Sequence, residues 1–366
     1  MQLKSAIRFG QRLVGRDQPC FIVFEAGATH NGFDNAMTLV DLAAEAGADA
    51  IKFQKFDPML MFADPDIVYP YVVLADRETG RTEEVREPHL EQRKRMELTE
   101  DQWRRVKARC DEKGICFFAT VGDPAAVDLM AELGAPCLKL CSGDINYWPL
   151  LERVCAVDGV SIQLDIGSAT VAEVERAVDF CLARGRDRII INHCPTGYPA
   201  SADKVNLNIL SSLHKVFGCP VAFSDHSPGL EMDIAALCMG ADILEKTITL
   251  DRTIRSPEHI MSLEPDELKP FVEAIRRVEQ ASGAHRRYLS PQDAAYRAHN
   301  RRGVYAARDL QAGEILALDM LCFMRPGTAL SCDHLDLILG RRLARDVAAK
   351  GAVTMEALSG QGEGRS

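Results

Sequence analysis

With 366 residues, of which 47% are hydrophobic and 26% charged, the chain has an ordinary globular composition and room for a large core plus a small second module. No stretch approaches the ~20 consecutive apolar residues that span a bilayer, and no signal-peptide core opens the chain, so we expect a cytoplasmic protein without membrane contact. A net charge of −10 argues against nucleic acid as a partner, although local cations still permit an anionic substrate.

Eight short apolar runs recur along the first two thirds of the chain, and each ends in polar or ionisable residues. The runs are apolar throughout and do not alternate with polar residues. This pattern is typical of parallel strands that are buried on both faces. The runs span residues 21–24, 50–53, 116–119, 137–140, 160–164, 189–191, 221–223 and 243–244.

Segments with the apolar spacing of a helix follow most of these runs. The first of them opens with the acidic Asp34 and ends before Gly47, a residue typical of a helix C-terminal cap. We predict helices at residues 34–46, 98–113, 124–133, 171–183, 205–216, 230–239 and 265–281.

The alternation of strands and helices predicts an α/β fold, a (β/α)8 TIM barrel over residues 1–283. A doubly wound open sheet would show the same local pattern. In a closed barrel the carboxyl ends of all the strands meet at one mouth. The polar residues that end the eight runs would then form a single pocket.

The pattern changes after residue 283. Residues 284–302 are rich in Arg and His, have little apolar periodicity and are interpreted as a linker. Residues 303–358 are predicted to form a small domain of short strands joined by glycine turns, with a short helix at 335–339. We expect residues 359–366 to be a disordered tail.

Seven motifs lie along the predicted barrel: EAGATHNG (25–32), GADAIKFQ (47–54), LKLCSGD (138–144), HC with YP (193–194 and 198–199), SDH (224–226), EK (245–246) and SLEP (262–265). In this order they resemble the N-acetylneuraminate (sialic acid) synthase family. The segments RDLQAGE (308–314) and RPG (325–327) resemble the antifreeze-like (SAF) domain of that family. Each motif alone is weak, but seven in the family's order are a specific signal.

The resemblance implies that the chain condenses phosphoenolpyruvate with an open-chain amino-sugar or hexose-derived aldehyde. The product would be a sialic-acid-like 2-keto-3-deoxy (nonulosonic) acid, with release of phosphate. The resemblance also implies a divalent metal ion, Mn or Mg. It further implies a domain-swapped homodimer in which the SAF domain of one subunit covers the barrel mouth of the other.

The positions that match the family supply candidate site residues. Phosphoenolpyruvate carries a phosphate and a carboxylate, so cations and hydroxyl donors at strand ends suit it. By resemblance, the catalytic residues are Glu25, Lys52 and His226; phosphoenolpyruvate binds to Lys52, Lys139, Ser142 and Ser224; the sugar binds to Gln54, Asp144, Tyr198, Glu258 and, from the other subunit, Arg325; and the metal ligands are His226 and Glu245.

These assignments have simpler alternatives. A lysine at a strand end can form a purely structural ion pair, and Glu25 and Lys52 could be such a pair without a chemical role. Arg325 could be an exposed turn residue.

The metal site departs from the family pattern. Thr247 stands where the family has a metal-binding histidine, and a hydroxyl is a poorer ligand than a neutral imidazole. We therefore expect weakened metal binding unless His193 or His259 replaces the missing ligand.

The phosphate site departs as well. Asp165 stands where the family has a hydroxyl donor, and two like charges ~4 Å apart repel by roughly 4 kcal/mol at an effective dielectric of about 20. Asp165 must then contact a cation such as Lys139, move aside, or indicate a different donor substrate. Thr196 replaces an asparagine and Glu258 an aspartate, and four departures in one pocket predict altered chemistry or altered substrates.

Two other functions stay open. A pyruvate-dependent aldolase on the same barrel would use Lys139 or Lys52 as a Schiff-base nucleophile. A non-catalytic homologue that binds sugar acids would keep the scaffold alone. Neither the acceptor sugar nor the fold of residues 57–97, a long insertion rich in charge, follows from the sequence.

Overall fold

A computed structural model describes residues 2–284 and 286–358, and the chain divides into two units between Gly283 and Ala284. The tail predicted at residues 359–366 lies outside the described residues. No helix in the described ranges is both long and apolar enough to cross a bilayer.

The described strands are β1 (Ala6–Phe9), β2 (Arg12–Gly15), β3 (Phe21–Glu25), β4 (Ala50–Lys55), β5 (Tyr71–Asp76), β6 (Arg81–Val85), β7 (Cys116–Val121), β8 (Cys137–Leu140), β9 (Ser161–Asp165), β10 (Ile189–His193), β11 (Val221–Asp225), β12 (Ile243–Thr247), β13 (Gly303–Ala306) and β14 (Leu321–Met324). The described α-helices are α1 (Phe33–Ala46), α2 (Pro58–Met61), α3 (His89–Lys94), α4 (Glu100–Lys113), α5 (Pro124–Glu132), α6 (Trp148–Cys155), α7 (Val171–Ala183), α8 (Ala202–Val205), α9 (Asn208–Phe217), α10 (Glu231–Cys238), α11 (Pro265–Ser282), α12 (Pro291–Asn300) and α13 (Leu335–Ile338).

Eight parallel strands of the first unit close into a barrel in the order β3, β4, β7, β8, β9, β10, β11, β12, and β12 pairs with β3. A helix follows each strand and packs on the outside of the barrel. The predicted (β/α)8 barrel is therefore confirmed. Several strands run one to three residues further than predicted, so Glu25, Asp165 and Thr247 belong to strand ends.

An antiparallel hairpin of β1 and β2 closes the amino-terminal end of the barrel. Its side chains Ile7, Phe9 and Val14 are buried in one apolar cluster with the first inward-facing residues of the barrel strands. The Phe9 ring lies 4.7 Å from that of Phe21 and 5.0 Å from that of Phe118. The floor of the barrel is therefore apolar apart from Ser161, whose Oγ donates to the carbonyl oxygen of Arg8, and the charged inward-facing residues lie at the other end.

The outer helices begin and end where local chemistry favours it. Helix α4 starts with a capping box between Thr99 and Gln102, and ends at Gly114, whose φ of 71° is readily adopted by glycine. Helix α6 was not predicted, because its eight residues are too few to show helical periodicity clearly.

The insertion at residues 57–97 folds into the short helix α2, the β5–β6 hairpin and helix α3. A small apolar cluster of Tyr71, Val73 and Val85 holds the hairpin together. Helix α3 places Gln92 in a buried position, while most of its other side chains stay at least partly exposed. The insertion is thus ordered, and it lies in the same unit as the barrel.

The second unit has less regular structure than the sequence predicted. Only β13 and β14 form a sheet in its described residues, and isolated bridges such as Leu310 with Val347 take the place of the other expected strands. Its apolar core includes Val304, Leu316 and Val353. Helix α12 lies within the segment interpreted as a linker, and its residues are exposed or half-buried.

Candidate active site

A cavity of about 230 Å³ lies at the carboxyl ends of the barrel strands, and we call it the strand-end cavity. It brings together most of the residues predicted for the site, which lie far apart in the sequence. The predicted residues that line it are Glu25, Lys52, Gln54, Lys139, Ser142, Asp144, Asp165, Tyr198, His226, Glu245 and Glu258.

The two-residue period of a β-strand explains this convergence. Along β12, Ile243 belongs to the apolar floor and Glu245, two residues further on, lines the cavity. Along β4, Ala50 belongs to the floor, and Lys52 and Gln54 follow on the same face. Most strands thus begin with an apolar inward-facing residue and end with polar ones, and β9, which begins with Ser161, is an exception.

The Glu245 carboxylate lies between two buried ammonium groups. Its Oε1 accepts a hydrogen bond from Lys139 Nζ at 2.8 Å and lies 3.2 Å from Lys52 Nζ. Its Oε2 accepts from Gln163 Nε2 at 3.4 Å. Lys52 also forms an ion pair with Glu25, so one chain of alternating charge crosses the cavity.

For Lys139 and Glu245, the effect of charge pairing on the pKa outweighs the effect of burial. Burial opposes the charged form of Lys139, but Glu245 and Asp165 together raise the pKa of this lysine. Burial also opposes ionisation of Glu245, but Lys139 and Lys52 lower its pKa from 4.5 to about 2. Both groups therefore stay charged at physiological pH.

Asp165 is held by Lys139. Its Oδ2 lies 3.4 Å from Lys139 Nζ, and its Oδ1 accepts a hydrogen bond from the backbone N–H of Gly167 at 3.2 Å. Of the three alternatives expected for this residue, contact with a cation is the one that the structure shows. Gly167 is required here, because a Cβ on it would lie 2.4 Å from the carbonyl oxygen of Cys194.

Ser224 lies behind Lys139. Its Oγ accepts a hydrogen bond from Lys139 Nζ at 3.1 Å and another from Asn192 Nδ2 at 3.0 Å. The described residues that line the strand-end cavity do not include Ser224. Ser224 therefore orients the side chain of Lys139. In this structure it does not lie where it could contact a phosphate bound in the cavity directly.

A second polar chain runs from Glu25 to the insertion. Gln54 Nε2 donates to Glu25 Oε1 at 3.2 Å, and Arg93 Nη1 of helix α3 donates to Gln54 Oε1 at 3.2 Å. Gly27 leaves the room for this approach, since a Cβ there would lie 2.4 Å from the backbone nitrogen of Gln54. The insertion thus fixes the side chains of β3 and β4.

His226 has one ring nitrogen free for chemistry. Its Nδ1 lies 3.1 Å from the carbonyl oxygen of Pro195, which places the ring proton on Nδ1 and leaves the Nε2 lone pair unprotonated. Burial lowers the pKa of His226 and keeps the ring neutral. Tyr198 packs against the ring at a centroid distance of 4.6 Å, and the Sγ atom of Cys194 lies 3.7 Å from Nε2.

The residues around His226 do not form a metal site. In the described ranges no group of three or more His, Cys, Asp or Glu side chains could hold a metal ion. The predicted second ligand, Glu245, has both oxygens engaged by Lys139, Lys52 and Gln163. The side chains present therefore do not fit the metal that the resemblance implies.

The two histidines considered as replacement ligands are absent from the described residues that line the strand-end cavity. His193 lines a separate cavity beside α7 and α9, and its Nε2 lies 2.7 Å from the carbonyl oxygen of Val205. His259 Nδ1 lies 2.6 Å from Thr249 Oγ1, and its Nε2 lies 3.1 Å from Asn31 Nδ2. Neither imidazole therefore contributes a ligand nitrogen to the strand-end cavity.

Comparison with known proteins matches this architecture to one family. Residues 39–287 match the model of the NeuB family, and residues 301–358 match the model of the SAF domain. The chain belongs to the NeuB family. The resemblance deduced from the motifs, including the SAF domain, is thereby confirmed.

Relatives within this family share about a third of their residues with the chain. It is 33% identical over 340 residues to N,N'-diacetyllegionaminic acid synthase of Legionella pneumophila, which covers 92% of this chain and 93% of that protein. It is 33% identical over 312 residues to N-acetylneuraminate-9-phosphate synthase of Homo sapiens, with coverages of 85% and 84%. A crystal structure of N-acetylneuraminic acid synthetase from Leptospira borgpetersenii has a TM-score of 0.69 and 29% identity, and covers 81% of this chain and 96% of that one.

The four positions that were expected to depart from the family pattern do not all line the strand-end cavity. Asp165 and Glu258 line it, whereas Thr247 and Thr196 are absent from the described residues that do so. Thr196 instead lines a separate cavity beside α7 and α9. The altered chemistry inferred from the four positions stays a prediction.

Arg325 lies in the second unit, where its Nε donates to the carbonyl oxygen of Asn300 at 2.6 Å. Four residues with charged, hydroxyl or thiol side chains line the strand-end cavity but were not predicted as site residues: Arg93, Thr120, Cys141 and Cys194. Thr120, Cys141 and Cys194 belong to strand ends or motifs that the sequence had already marked. No signal could have found Arg93, because it lies in the insertion whose fold the sequence did not show.

Glu258 is the cavity carboxyl with the strongest tendency to stay protonated. Burial, together with the charge of Glu25, outweighs Arg93 and Lys52 and raises the pKa of Glu258 from 4.5 to about 7. The folded protein therefore holds a proton that the unfolded chain releases between pH 4.5 and 7. Taken alone, Glu258 therefore contributes a stability that falls by about 3 kcal/mol as the pH rises through this window. The buried rings of His30, His89 and His259, whose pKa values are lowered to about 4, contribute in the opposite direction, so the contribution of Glu258 is measured as a difference between variant and wild type.

We predict that Glu258→Gln removes the Glu258 contribution, because glutamine does not titrate, and that the free energy of unfolding of the variant rises relative to that of wild type by about 3 kcal/mol between pH 4.5 and pH 7.5. Urea unfolding at pH 4.5 and pH 7.5 measures the free energy of unfolding of wild type and variant. Glu273→Gln, on the exposed face of α11, is the matched control and should keep the wild-type dependence. An equal change of stability with pH in Glu258→Gln and wild type would contradict the raised pKa.

Proposed function

We propose that this chain is a nonulosonic-acid synthase that condenses phosphoenolpyruvate with an open-chain amino-sugar aldehyde. The observation that carries the proposal is the pair of buried ammonium groups, Lys52 and Lys139, on either side of Glu245 in a cavity at the barrel mouth. Phosphoenolpyruvate presents two anionic groups a few bonds apart. Two fixed cations in one water-poor cavity suit such a ligand.

The reaction balances with the residues present. C3 of the enol attacks the aldehyde carbon, water adds to C2, and the C2–O bond to phosphate breaks, while the second proton of the water leaves the new C2 hydroxyl and ends on the departing phosphate. Glu25 is the base that takes the first proton of the water and returns it to Lys52, which has passed a proton to the oxygen that was the aldehyde. His226 contributes the neutral Nε2 lone pair, which can orient the aldehyde hydrate or the water by accepting a hydrogen bond.

Carboxyl groups outnumber cationic side chains in the cavity before substrate enters. Among the described residues that line it, three cationic side chains meet five carboxyl groups: Lys52, Arg93 and Lys139 against Glu25, Asp144, Asp165, Glu245 and Glu258. Burial raises the pKa of Asp144 and of Glu258, which reduces the negative charge that an entering phosphate meets. The pairing of Asp165 with Lys139 reduces it further.

A Schiff-base aldolase is the second candidate, and the structure provides an argument against Lys139, one of its two candidate lysines. A nucleophilic lysine needs a lowered pKa so that a neutral amine is present at pH 7. The pKa of Lys139 is raised, so this amine stays protonated. Covalent trapping by borohydride in the presence of pyruvate would nevertheless support the aldolase.

We predict that phosphate release from phosphoenolpyruvate requires an aldehyde sugar. We also predict that Lys139→Met lowers kcat/KM for phosphoenolpyruvate by about 10²- to 10³-fold, because one preorganised charged donor is lost. Lys215→Met, on the exposed side of α9, is the control and should match wild type. Circular dichroism confirms that both variants are folded. Absence of phosphate release with every N-acetylated hexosamine and related aldose tried would contradict the synthase. Normal binding of phosphoenolpyruvate without release would then support the non-catalytic homologue.

We also propose a homodimer in which Arg325 of one subunit completes the sugar site of the other. Light scattering should therefore show a dimer at micromolar concentration, and Arg325→Ala should raise KM for the sugar about tenfold with little effect on KM for phosphoenolpyruvate. Arg302→Ala, nearby on the same unit, is the control. A monomer with full activity would contradict this assignment.

A further inference from the structure

The proposed condensation needs a positive charge at the aldehyde oxygen, because attack by the enol turns this oxygen into an alkoxide. The resemblance to the NeuB family assigns that charge to a divalent metal ion. The side chains of this chain offer such an ion few ligands. Among the described residues that line the strand-end cavity, His226 is the one imidazole.

Thr247 explains why a second imidazole is missing. It follows Glu245 by two residues along β12, so its side chain belongs to the same inward face of the barrel. Thr247 is 3% exposed, and its hydroxyl is a much weaker ligand than a neutral imidazole. Position 247 therefore supplies no ligand nitrogen to this face.

Ammonium groups occupy the carboxylates that could otherwise bind a metal ion. Glu25 pairs with Lys52, and Asp165 lies 3.4 Å from Lys139. Glu245 contacts both ammonium groups. A divalent ion could use these oxygens only by displacing an ammonium group, and it would then be repelled by that group at a distance of a few ångströms.

Arg93 places another cation next to the same cavity. A second cavity of about 420 Å³ adjoins the strand-end cavity and is lined by the insertion and the loop after β12; we call it the outer cavity. The described residues that line both cavities are Arg93, Tyr198 and Glu258, and they mark the junction of the two. Arg93 is the member of this set that carries a positive charge.

The guanidinium of Arg93 is held in a fixed position. Its Nη1 donates to Gln54 Oε1 at 3.2 Å and its Nε to His89 Nε2 at 3.0 Å, while its Cζ lies 5.4 Å from the centre of the Phe56 ring. Its Nη2 has no hydrogen-bond partner among the described residues. Gln54 also donates to Glu25 at 3.2 Å, so a continuous polar chain connects the guanidinium with the residues that carry the proposed chemistry.

The junction of the two cavities is where the aldehyde has to lie. Under the proposed function, Lys52 and Lys139 hold phosphoenolpyruvate in the strand-end cavity. Two reacting carbon atoms approach each other to about 3–3.5 Å before a bond forms. The aldehyde therefore enters from the outer cavity and stops against the enol, at the boundary that Arg93 lines.

We propose that Arg93 binds the aldehyde oxygen and stabilises its developing negative charge, in the role that the family pattern gives to a divalent metal ion, so that this chain needs no metal ion. As C3 of the enol bonds to the aldehyde carbon, the electron pair of the carbonyl moves to the oxygen, which accepts a hydrogen bond from the guanidinium. The proton that neutralises this oxygen comes from Lys52, because a guanidinium keeps its protons. This proposal rests on the proposed synthase function and adds a catalytic residue to it.

The first experiment measures the metal dependence of the wild-type, full-length protein. Phosphate release from phosphoenolpyruvate is followed with a panel of N-acetylated hexosamines and related aldoses in EDTA, and again with Mn²⁺ or Mg²⁺ added after removal of the chelator. We expect kcat/KM to differ by less than about twofold among these conditions, since the charge at the aldehyde belongs to the protein. A larger loss in EDTA that either ion reverses would overturn the proposal.

The second experiment removes the guanidinium. Arg93→Met should lower kcat about 10²-fold and leave KM for phosphoenolpyruvate unchanged, because the two lysines still hold this substrate. Arg93→Lys keeps a positive charge and should recover at least about tenfold of the loss, which a purely structural role would not explain. Lys94→Met, on the exposed side of the same helix, is the matched control and should match wild type.

Circular dichroism confirms that these variants are folded. A fall in kcat of less than about threefold in a folded Arg93→Met variant would overturn the proposal. So would an Arg93→Lys variant that is no more active than Arg93→Met.

Binding of Mn²⁺ alone gives a readout that does not depend on the reaction. The electron paramagnetic resonance signal of unbound Mn²⁺ reports how much of the ion the protein takes up. We expect no saturable site below about 1 mM in wild type. Thr247→His should create a site at least about tenfold tighter, because it adds an imidazole to the inward face, whereas the exposed control Thr82→His should not.

These outcomes separate the proposal from the synthase function. One tightly bound Mn²⁺ per wild-type chain, with phosphate release only in its presence, would overturn the role of Arg93 and leave the synthase standing. Phosphate release under none of the conditions would overturn the synthase, and this proposal with it.

Discussion

The carboxylate of Glu245, shared between the ammonium groups of Lys52 and Lys139, is the interaction on which the site depends. Two buried lysines within a few ångströms of each other would repel strongly in a medium of low dielectric. A single ionised carboxylate between them removes that repulsion and fixes both side chains. The cost of burying these charges is offset only because every member of the group has a partner.

The barrel supplies the geometry that makes this arrangement possible. Most of its strands begin with apolar inward-facing residues that fill the floor, and end with polar or charged ones at the mouth. Residues such as Lys139 and Glu245 are thereby brought together from positions 106 apart in the chain. The outer helices protect the strands from water on the other face, which keeps the local dielectric low and the ion pairs strong.

The sequence predicted the barrel because strands buried on both faces are apolar throughout and because the helices between them carry clear end signals, such as Gly47 after α1. Most residues of the strand-end cavity could then be predicted as well, because the polar residues at the ends of the barrel strands have to converge. The contribution of Arg93 could not be predicted, because helix α3 lies in a charged insertion without periodicity. Nor could the position of Ser224 behind Lys139 be predicted, because sequence order does not show which of two neighbouring inward-facing groups lies nearer the cavity.

The hairpin of β1 and β2 affects where small molecules can enter and leave the barrel. Its apolar side chains fill the amino-terminal end, so within the described residues the barrel is open at the carboxyl ends of its strands. The strand-end cavity lies one inward-facing residue above this floor, at Lys139 after Cys137, and the outer cavity of about 420 Å³ is built from segments beyond the strands. Under the proposed function, a sugar seated in the outer cavity would obstruct the route to the inner one. The proposed synthase would then bind the smaller reactant first and the sugar second, which initial-rate kinetics would reveal as a compulsory sequence.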